Sequence, residues 1–321
     1  MRTIQLTPSV ACSHIVLGTT YFGSDLDDAH SFALLDAYVR LGGNCIDTAR
    51  AYNLYSGPAG ADQSERCIGQ WLRETGLRDR IVLSTKGGHN LGAGTRPRLD
   101  RPTLTADLEK SLALLGTDHV ELYWLHRDDP SRPVGELLET LQGFLERGWV
   151  RCVGASNWTA GRLREADAYA AAHGLTPFCA GQIQWSLAKT EPARLNDPTL
   201  VCMNAEEYGY YTGIRRPVFA FSSQAKGFFS KYLAGAPLNP KLRERYATPE
   251  NVAAAERVRV VADKYGLNPT AVALHYILDN PLPACAIVGC STVEQLADSM
   301  ARTDVVLSVE DLRYLRADCV L

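Results

Sequence analysis

Three consecutive segments decide the fold: VELYWLH (120–126), PVGELLETLQGFLERG (133–148) and WVRCVGAS (149–156). The first and third are short apolar runs without the polar alternation of a half-exposed strand. They suit a parallel sheet covered on both faces. The middle segment places Leu137, Leu138, Leu141 and Phe144 at helical spacing over 134–147, and Gly148 stops it. Strand, helix and strand in about 35 residues is one β/α unit with the start of the next.

The same rhythm extends in both directions. Towards the amino terminus, SHIVLGT (13–19), NCID (44–47) and IVLSTK (81–86) read as strands, separated by helical patterns over 28–41, 64–75 and 103–115. Ser64 is the expected cap of the second of these helices. Towards the carboxyl terminus, CAGQIQW (179–185), PVFAFSS (217–223) and ACAIVG (284–289) read as strands. Helices are expected at 160–172, 250–265, 269–279 and 292–300, Asn268-Pro269 supplying a cap and first-turn pair. Residues 186–216 read as an irregular loop with room for one short helix. Eight strands, each followed by a helical stretch, fit an α/β fold of the (β/α)8 TIM-barrel type better than an open sheet. No G-x-G-x-x-G follows the first strand, so no Rossmann dinucleotide site is indicated. The expectation is a single barrel domain over 1–321, with a carboxyl-terminal extension from about 304 to 321.

Composition bounds the function. Of 321 residues, 46% are apolar and 21% charged, as in ordinary globular proteins. Thirty-three basic side chains against 36 acidic ones give a net charge of −3, which argues against nucleic-acid or anionic-membrane binding. No apolar run reaches the roughly 20 residues of a membrane span, and MRTIQLTPSV lacks the apolar core of a secretory signal. Nine scattered cysteines without a C-x-x-C pair suggest neither a disulfide framework nor a zinc site. A reduced, cytoplasmic protein is expected.

In a barrel of this kind the active site lies at the carboxyl ends of the strands. The second strand ends in Asp47, with Tyr52 five residues on. The third ends in Lys86, the fourth in His126, the fifth in Ser156-Asn157. The sixth carries Gln182 and the seventh ends in Phe221-Ser222. Singly, each has a structural reading: Asp47 as a loop carboxylate, Tyr52 as a half-buried tyrosine, Lys86 as a solvated charge, His126 as a core histidine. Together they form a chemical set. A phenol titrates near 10, and a neighbouring ammonium is expected to lower that value. A carboxylate holds the ammonium, and a histidine beside the phenol orients a carbonyl oxygen.

IDTARAY (46–52), STK (84–86), ELYWLH (121–126), VGASNW (153–158), GQIQWS (181–186) and PVFAFSSQAKG (217–227) resemble, in order and spacing, the aldo-keto reductase superfamily. The resemblance spans roughly residues 10 to 303. It implies a barrel that binds a nicotinamide dinucleotide across its rim and interconverts a carbonyl and an alcohol by hydride transfer. Tyr52 resembles the family's general acid/base, Lys86 and Asp47 its tuning partners, and His126 the residue that places the carbonyl. Ser156, Asn157 and Gln182 match the positions that hold the nicotinamide carboxamide. Phe221 matches the aromatic that stacks on its ring. Ser222, Ser223, Gln224 and Lys226 fall where the pyrophosphate binds, and Thr19 joins the cofactor set. The same resemblance admits a second reading, a cofactor-binding regulatory protein like the channel-associated β subunits, with little turnover. The intact set of four favours the enzyme.

One departure concerns cofactor choice. VGCSTVEQLADS (288–299) follows the family's adenosine-phosphate segment in outline. Relatives commonly carry Arg or Lys just after that strand, paired with the 2′-phosphate of NADP. Here stand Gly289, Cys290, Ser291 and Thr292, with Gln295 retained and Ser299 where relatives tend to have Asn. Family habit favours NADP(H) narrowly and leaves NAD(H) open. A small carbonyl or alcohol, such as a sugar or an aromatic aldehyde, is the expected substrate. Its pocket is expected from Tyr21, Tyr55, His89, Trp124, Trp158 and Trp185. No H-x-H or H-E-x-x-H pair occurs, so no metal is expected. A Schiff-base role for Lys86 would leave Asp47 and Tyr52 unexplained.

Overall fold

Eight of the apolar runs become parallel strands that close on one another. Elements are numbered in chain order in the computed structural model, which describes residues 1–54, 57, 60–91, 98–195 and 197–317. A hairpin of β1 (Thr3–Thr7) and β2 (Val10–Ser13) comes first. The barrel strands are β3 (Ile15–Gly18), β4 (Cys45–Asp47), β5 (Val82–Gly87), β6 (Val120–Leu125), β7 (Val150–Ser156), β8 (Ala180–Gln184), β9 (Val218–Phe221) and β10 (Ala284–Val288). Each pairs with the next, and β10 returns to β3. The covering helices are α1 (Asp28–Arg40), α2 (Gln63–Thr75), α3 (Arg101–Leu115), α4 (Val134–Glu146), α5 (Ala160–His173) and α6 (Ala205–Ile214). After β9 come α7 (Phe228–Leu233), α8 (Pro240–Tyr246), α9 (Pro249–Tyr265) and α10 (Pro269–Leu278), and after β10 come α11 (Val293–Met300) and α12 (Val309–Leu315). No helix among the described residues is long and apolar enough to cross a membrane.

The absence of alternation in the strands has a direct cause. Val16, Cys45, Val82, Leu122, Trp124, Cys152, Ala180, Phe219, Cys285 and Ile287 form one buried cluster inside the barrel. The other parity, including Leu17, Ile46, Leu83, Tyr123, Val153, Ile183 and Val288, packs against the helices. Both faces are buried, so both are apolar.

The structure adds what the pattern did not show. The amino-terminal hairpin was not anticipated; its Val10 and Cys12 join the interior cluster and plug the barrel's amino end. Helices α7 and α8 were also missed, and α12 lies within the 304–321 extension. Ser64 is not a helix cap. Asp62 occupies that position without a cap bond, and the Ser64 hydroxyl is taken up by the Thr19 carbonyl and the hydroxyls of Thr19 and Thr48. The eight cysteines among the described residues are free thiols.

Candidate active site

Strand ends bring the expected acid–base set together. Asp47 closes β4, Tyr52 follows in the next turn, Lys86 lies near the end of β5 and His126 directly follows β6. The Lys86 ammonium donates to Asp47 Oδ2 at 2.6 Å, to the Tyr52 hydroxyl oxygen at 2.7 Å and to the Thr48 carbonyl at 2.8 Å. The Tyr52 hydroxyl donates to Asp47 Oδ2 at 2.8 Å. Asp47 Oδ1 accepts from Ser84 Oγ at 2.9 Å and from Gln182 Nε2 at 3.1 Å. The Lys86 and Asp47 side chains are each 1% exposed, so the ammonium is held entirely by protein groups. The His126 ring stands edge-on to Tyr52, centroids 6.1 Å apart, and 4.9 Å from the ring of His89.

The protonation states follow from these surroundings. The phenol of Tyr52 was expected to be lowered by Lys86. Burial, followed by the charge and hydrogen bond of Asp47, pushes it well above its ordinary value instead. Tyr52 therefore carries its proton at neutrality. Burial pulls Lys86 below its usual range, with Asp47 opposing. Burial also drives His126 well below its ordinary value, reinforced by Arg127, His89 and Lys86, so it is a neutral imidazole. His89 is lowered to about 4, again chiefly by burial. Nδ1 of His126 and Nδ1 of His89 are buried and have no partner among the described residues.

Above this set lies a cleft of about 900 Å³. Ser156, Asn157, Gln182, Phe221, Ser222, Ser223, Gln224, Lys226, Gly289 and Ser291 line it, as do Tyr21, Tyr52 and His126. Thr19 does not: its hydroxyl is taken by the Asp47 carbonyl and Ser64, and Thr20 faces the cleft in its place. Ser299 lies behind the wall, bonded to Gln224 and to the Gln295 carbonyl. Thr292 caps α11, and Gln295 accepts from the Ser291 N–H at the rim.

The expected substrate wall is only partly there. Tyr21 lines the cleft and His89 sits beside His126. Trp124, Trp158 and Trp185 do not line it. Trp124 is inside the barrel against Phe219. Trp158 packs on Phe178, and Trp185 lies between Tyr208 and Tyr276, both in the strand–helix layer. Tyr55 lies outside the described residues.

Sequence reasoning missed Arg127. Its guanidinium reaches Thr199 Oγ1, the His126 carbonyl and Asp197, lines the cleft, and acts on both Tyr52 and His126. Its position next to His126 was the available signal. Also missed were Lys231 on α7 and Lys241 and Arg245 on α8. With Lys226 they line the outer end of the cleft, and none of the four is ion-paired to a carboxylate among the described residues. No cluster of His, Cys, Asp or Glu among the described residues could hold a metal ion.

The model of the Aldo/keto reductase family matches residues 14–317. The chain belongs to this family. It is 28% identical to a norsolorinic acid reductase of Emericella nidulans, over 97% of this chain and 79% of that protein. It is 30% identical to an uncharacterised oxidoreductase of Bacillus subtilis, over 94% and 91%. A Saccharomyces cerevisiae protein provisionally assigned as an aryl-alcohol dehydrogenase is 25% identical over 99% and 86%. This aldo-keto reductase is thus an oxidoreductase, of a family that generally uses NAD(P)H.

Proposed function

We propose that the chain acts as one barrel domain, over 1–321, that interconverts a small carbonyl compound and its alcohol using a nicotinamide dinucleotide. The observation that carries this reading is the Tyr52 hydroxyl, held by Lys86 at 2.7 Å and Asp47 at 2.8 Å on the floor of the cleft. A dinucleotide fits the residues present. Phe221 offers a ring face, Asn157 and Gln182 offer amides, and Lys226, Lys231, Lys241 and Arg245 offer unneutralised charge for phosphates. When bound, the dinucleotide supplies or accepts the hydride at the substrate carbon. In reduction, Tyr52 donates its proton to the carbonyl oxygen, and in oxidation it takes that proton back. Lys86 stabilises the phenolate left behind, and Asp47 keeps the ammonium charged in a buried place. His126, neutral and lining the cleft, positions the substrate oxygen.

NADP(H) is favoured narrowly over NAD(H), because family habit outweighs the lack of a base at Gly289–Thr292. An aryl carbonyl is the substrate class best supported, since relatives are named for norsolorinic acid and aryl alcohols; a sugar is the other candidate. The test is absorbance decay of NADPH and NADH with a panel of aryl aldehydes and sugars. Wild type should turn over, Tyr52→Phe should not, and both should bind dinucleotide nearly equally, because the hydroxyl is the proton donor and not a cofactor contact. Retained turnover in Tyr52→Phe would refute the assignment.

A further inference from the structure

The residue that most clearly failed as a pocket wall shows a different use. Trp124 is fully buried inside the barrel, and its indole N–H donates to Ser84 Oγ at 2.6 Å. An indole N–H is only a donor, and a hydroxyl has a single proton to give. Once Ser84 accepts from Trp124, its proton points elsewhere, and it points to Asp47 Oδ1 at 2.9 Å. All three side chains are inaccessible to solvent.

Strand register builds this chain of contacts. Asp47 lies opposite Ser84, Lys86 opposite Trp124, and Trp124 opposite Gly154. Gly154 is required there, because a Cβ would come within 2.3 Å of the indole. Phe219 holds the other side of the ring, edge to face at 5.1 Å. The indole therefore has one place to sit, and its N–H one direction. Asp47 receives two donors on each oxygen: Ser84 and Gln182 on Oδ1, Lys86 and Tyr52 on Oδ2. A carboxylate fixed at one oxygen cannot rotate the other away from its partners.

We propose that Trp124 and Ser84 are positioning residues for the acid–base set: the indole orients the Ser84 hydroxyl, the hydroxyl fixes Asp47, and Asp47 presents Lys86 and Tyr52 in one geometry. This rests on the reading of Tyr52 as proton donor. A buried tryptophan N–H generally finds an acceptor in any fold. What marks this one is that its acceptor's only proton goes to the carboxylate that carries Lys86 and Tyr52.

The test compares the pH dependence of turnover, at saturating NADPH and with the best aldehyde of the panel, in wild type, Ser84→Ala, Ser84→Thr, Trp124→Phe, Ser84→Ala with Trp124→Phe, and Tyr52→Phe. The titratable and charged groups around Asp47 are Lys86 and Tyr52 in contact and Cys45 on its own strand, with Arg127, His126 and Glu65 acting on those two or next to them. A carboxylate that loses a donor takes up a proton more readily. Ser84→Ala should therefore displace the pH profile from that of wild type and lower kcat about 10-fold, with dinucleotide affinity unchanged. Ser84→Thr keeps the hydroxyl and should restore the profile. The double variant should be no worse than Ser84→Ala alone, because both changes break one chain. A Ser84→Ala profile that superimposes on wild type, or additive losses in the double variant, overturns the proposal. Ser84→Ala removes one oxygen atom, so the test stands even where Trp124→Phe fails to fold. If Tyr52→Phe is as active as wild type, the acid–base reading itself falls and takes this inference with it.

Discussion

Burying an ionisable residue carries a cost, and two residues of this chain meet it in different ways. Lys86 meets it with three hydrogen bonds, one of them to a carboxylate, which makes an ammonium tolerable with 1% of the side chain exposed. Glu65, on α2, meets it by keeping its proton. It accepts from the Thr85 hydroxyl, its Oε2 has no partner among the described residues, and burial raises its carboxyl from 4.5 to about 7. Between those values the folded protein holds a proton that the unfolded chain has released. The stabilisation is complete below pH 4.5 and is lost as pH rises through 7. A shift of this size corresponds to about 3 kcal/mol. Glu65→Gln imitates the protonated acid and still accepts from Thr85. Relative to wild type it should be unchanged at pH 4.5 and more stable by about 3 kcal/mol at pH 8, as read from urea unfolding. A difference independent of pH would show that Glu65 is ionised in the folded protein.

Elements place the charges that the net total of −3 conceals. The turn from β10 into α11 carries no base at Gly289–Thr292, whereas the segment after β9 brings Lys226, Lys231, Lys241 and Arg245 to the facing wall. Ser291 is exposed where the cleft meets the start of α11. An arginine there should pair with a 2′-phosphate. Ser291→Arg should raise the ratio of NADP(H) to NAD(H) affinity about 10-fold, measured by titrating each dinucleotide calorimetrically. An unchanged ratio means that the 2′-phosphate lies elsewhere. How far such elements are legible in a sequence depends on how they are buried. The barrel strands were readable because burial on both faces leaves each an unbroken apolar run. Helices α7 and α8 were not, because they are only six and seven residues long. The backbone before them also takes positive φ at Ser222, Ala225, Lys226 and Gly227, which propensity does not anticipate. Asp47, Tyr52, Lys86 and His126 were legible because strand ends converge in a barrel. Trp124, Trp158 and Trp185 were misplaced because an aromatic near a strand end does not say which layer it enters. Ser84 stood in the STK motif with no sign of this role, since its partners come from β4 and β6.

The molecule as a whole is a closed barrel with the candidate site at one end and a closure at the other. The closure is β1–β2. It is tied to the body by Asn44, which accepts from Ser13 N at 2.7 Å and donates to the Ala11 carbonyl at 3.2 Å, and by the Arg2–Asp279 ion pair at 2.7 Å. Its strand β1 is largely polar and half exposed, which hid it from a search for apolar runs. Val10 and Cys12 fill the amino mouth over Cys45, Cys152 and Cys285, and the sulfurs of Cys12 and Cys285 are 3.8 Å apart. These interior thiols therefore report on the plug. In the native full chain, iodoacetamide should leave Cys12, Cys45, Cys152 and Cys285 unmodified, because all four are buried out of reach of the reagent. A neighbouring thiol, Cys12 for Cys45 and Cys179 for Cys152, and then burial raise these two, while burial and then Cys12 raise Cys285. Deleting residues 1–13 should open the mouth, so that Cys45, Cys152 and Cys285 are labelled within minutes while dinucleotide affinity at the far rim is retained, as peptide mass spectrometry and titration would show. Retained affinity shows that the barrel still stands, so labelling then reports access and not unfolding. Equal labelling of the two forms would mean that the hairpin is an ornament on a barrel already sealed by its own side chains.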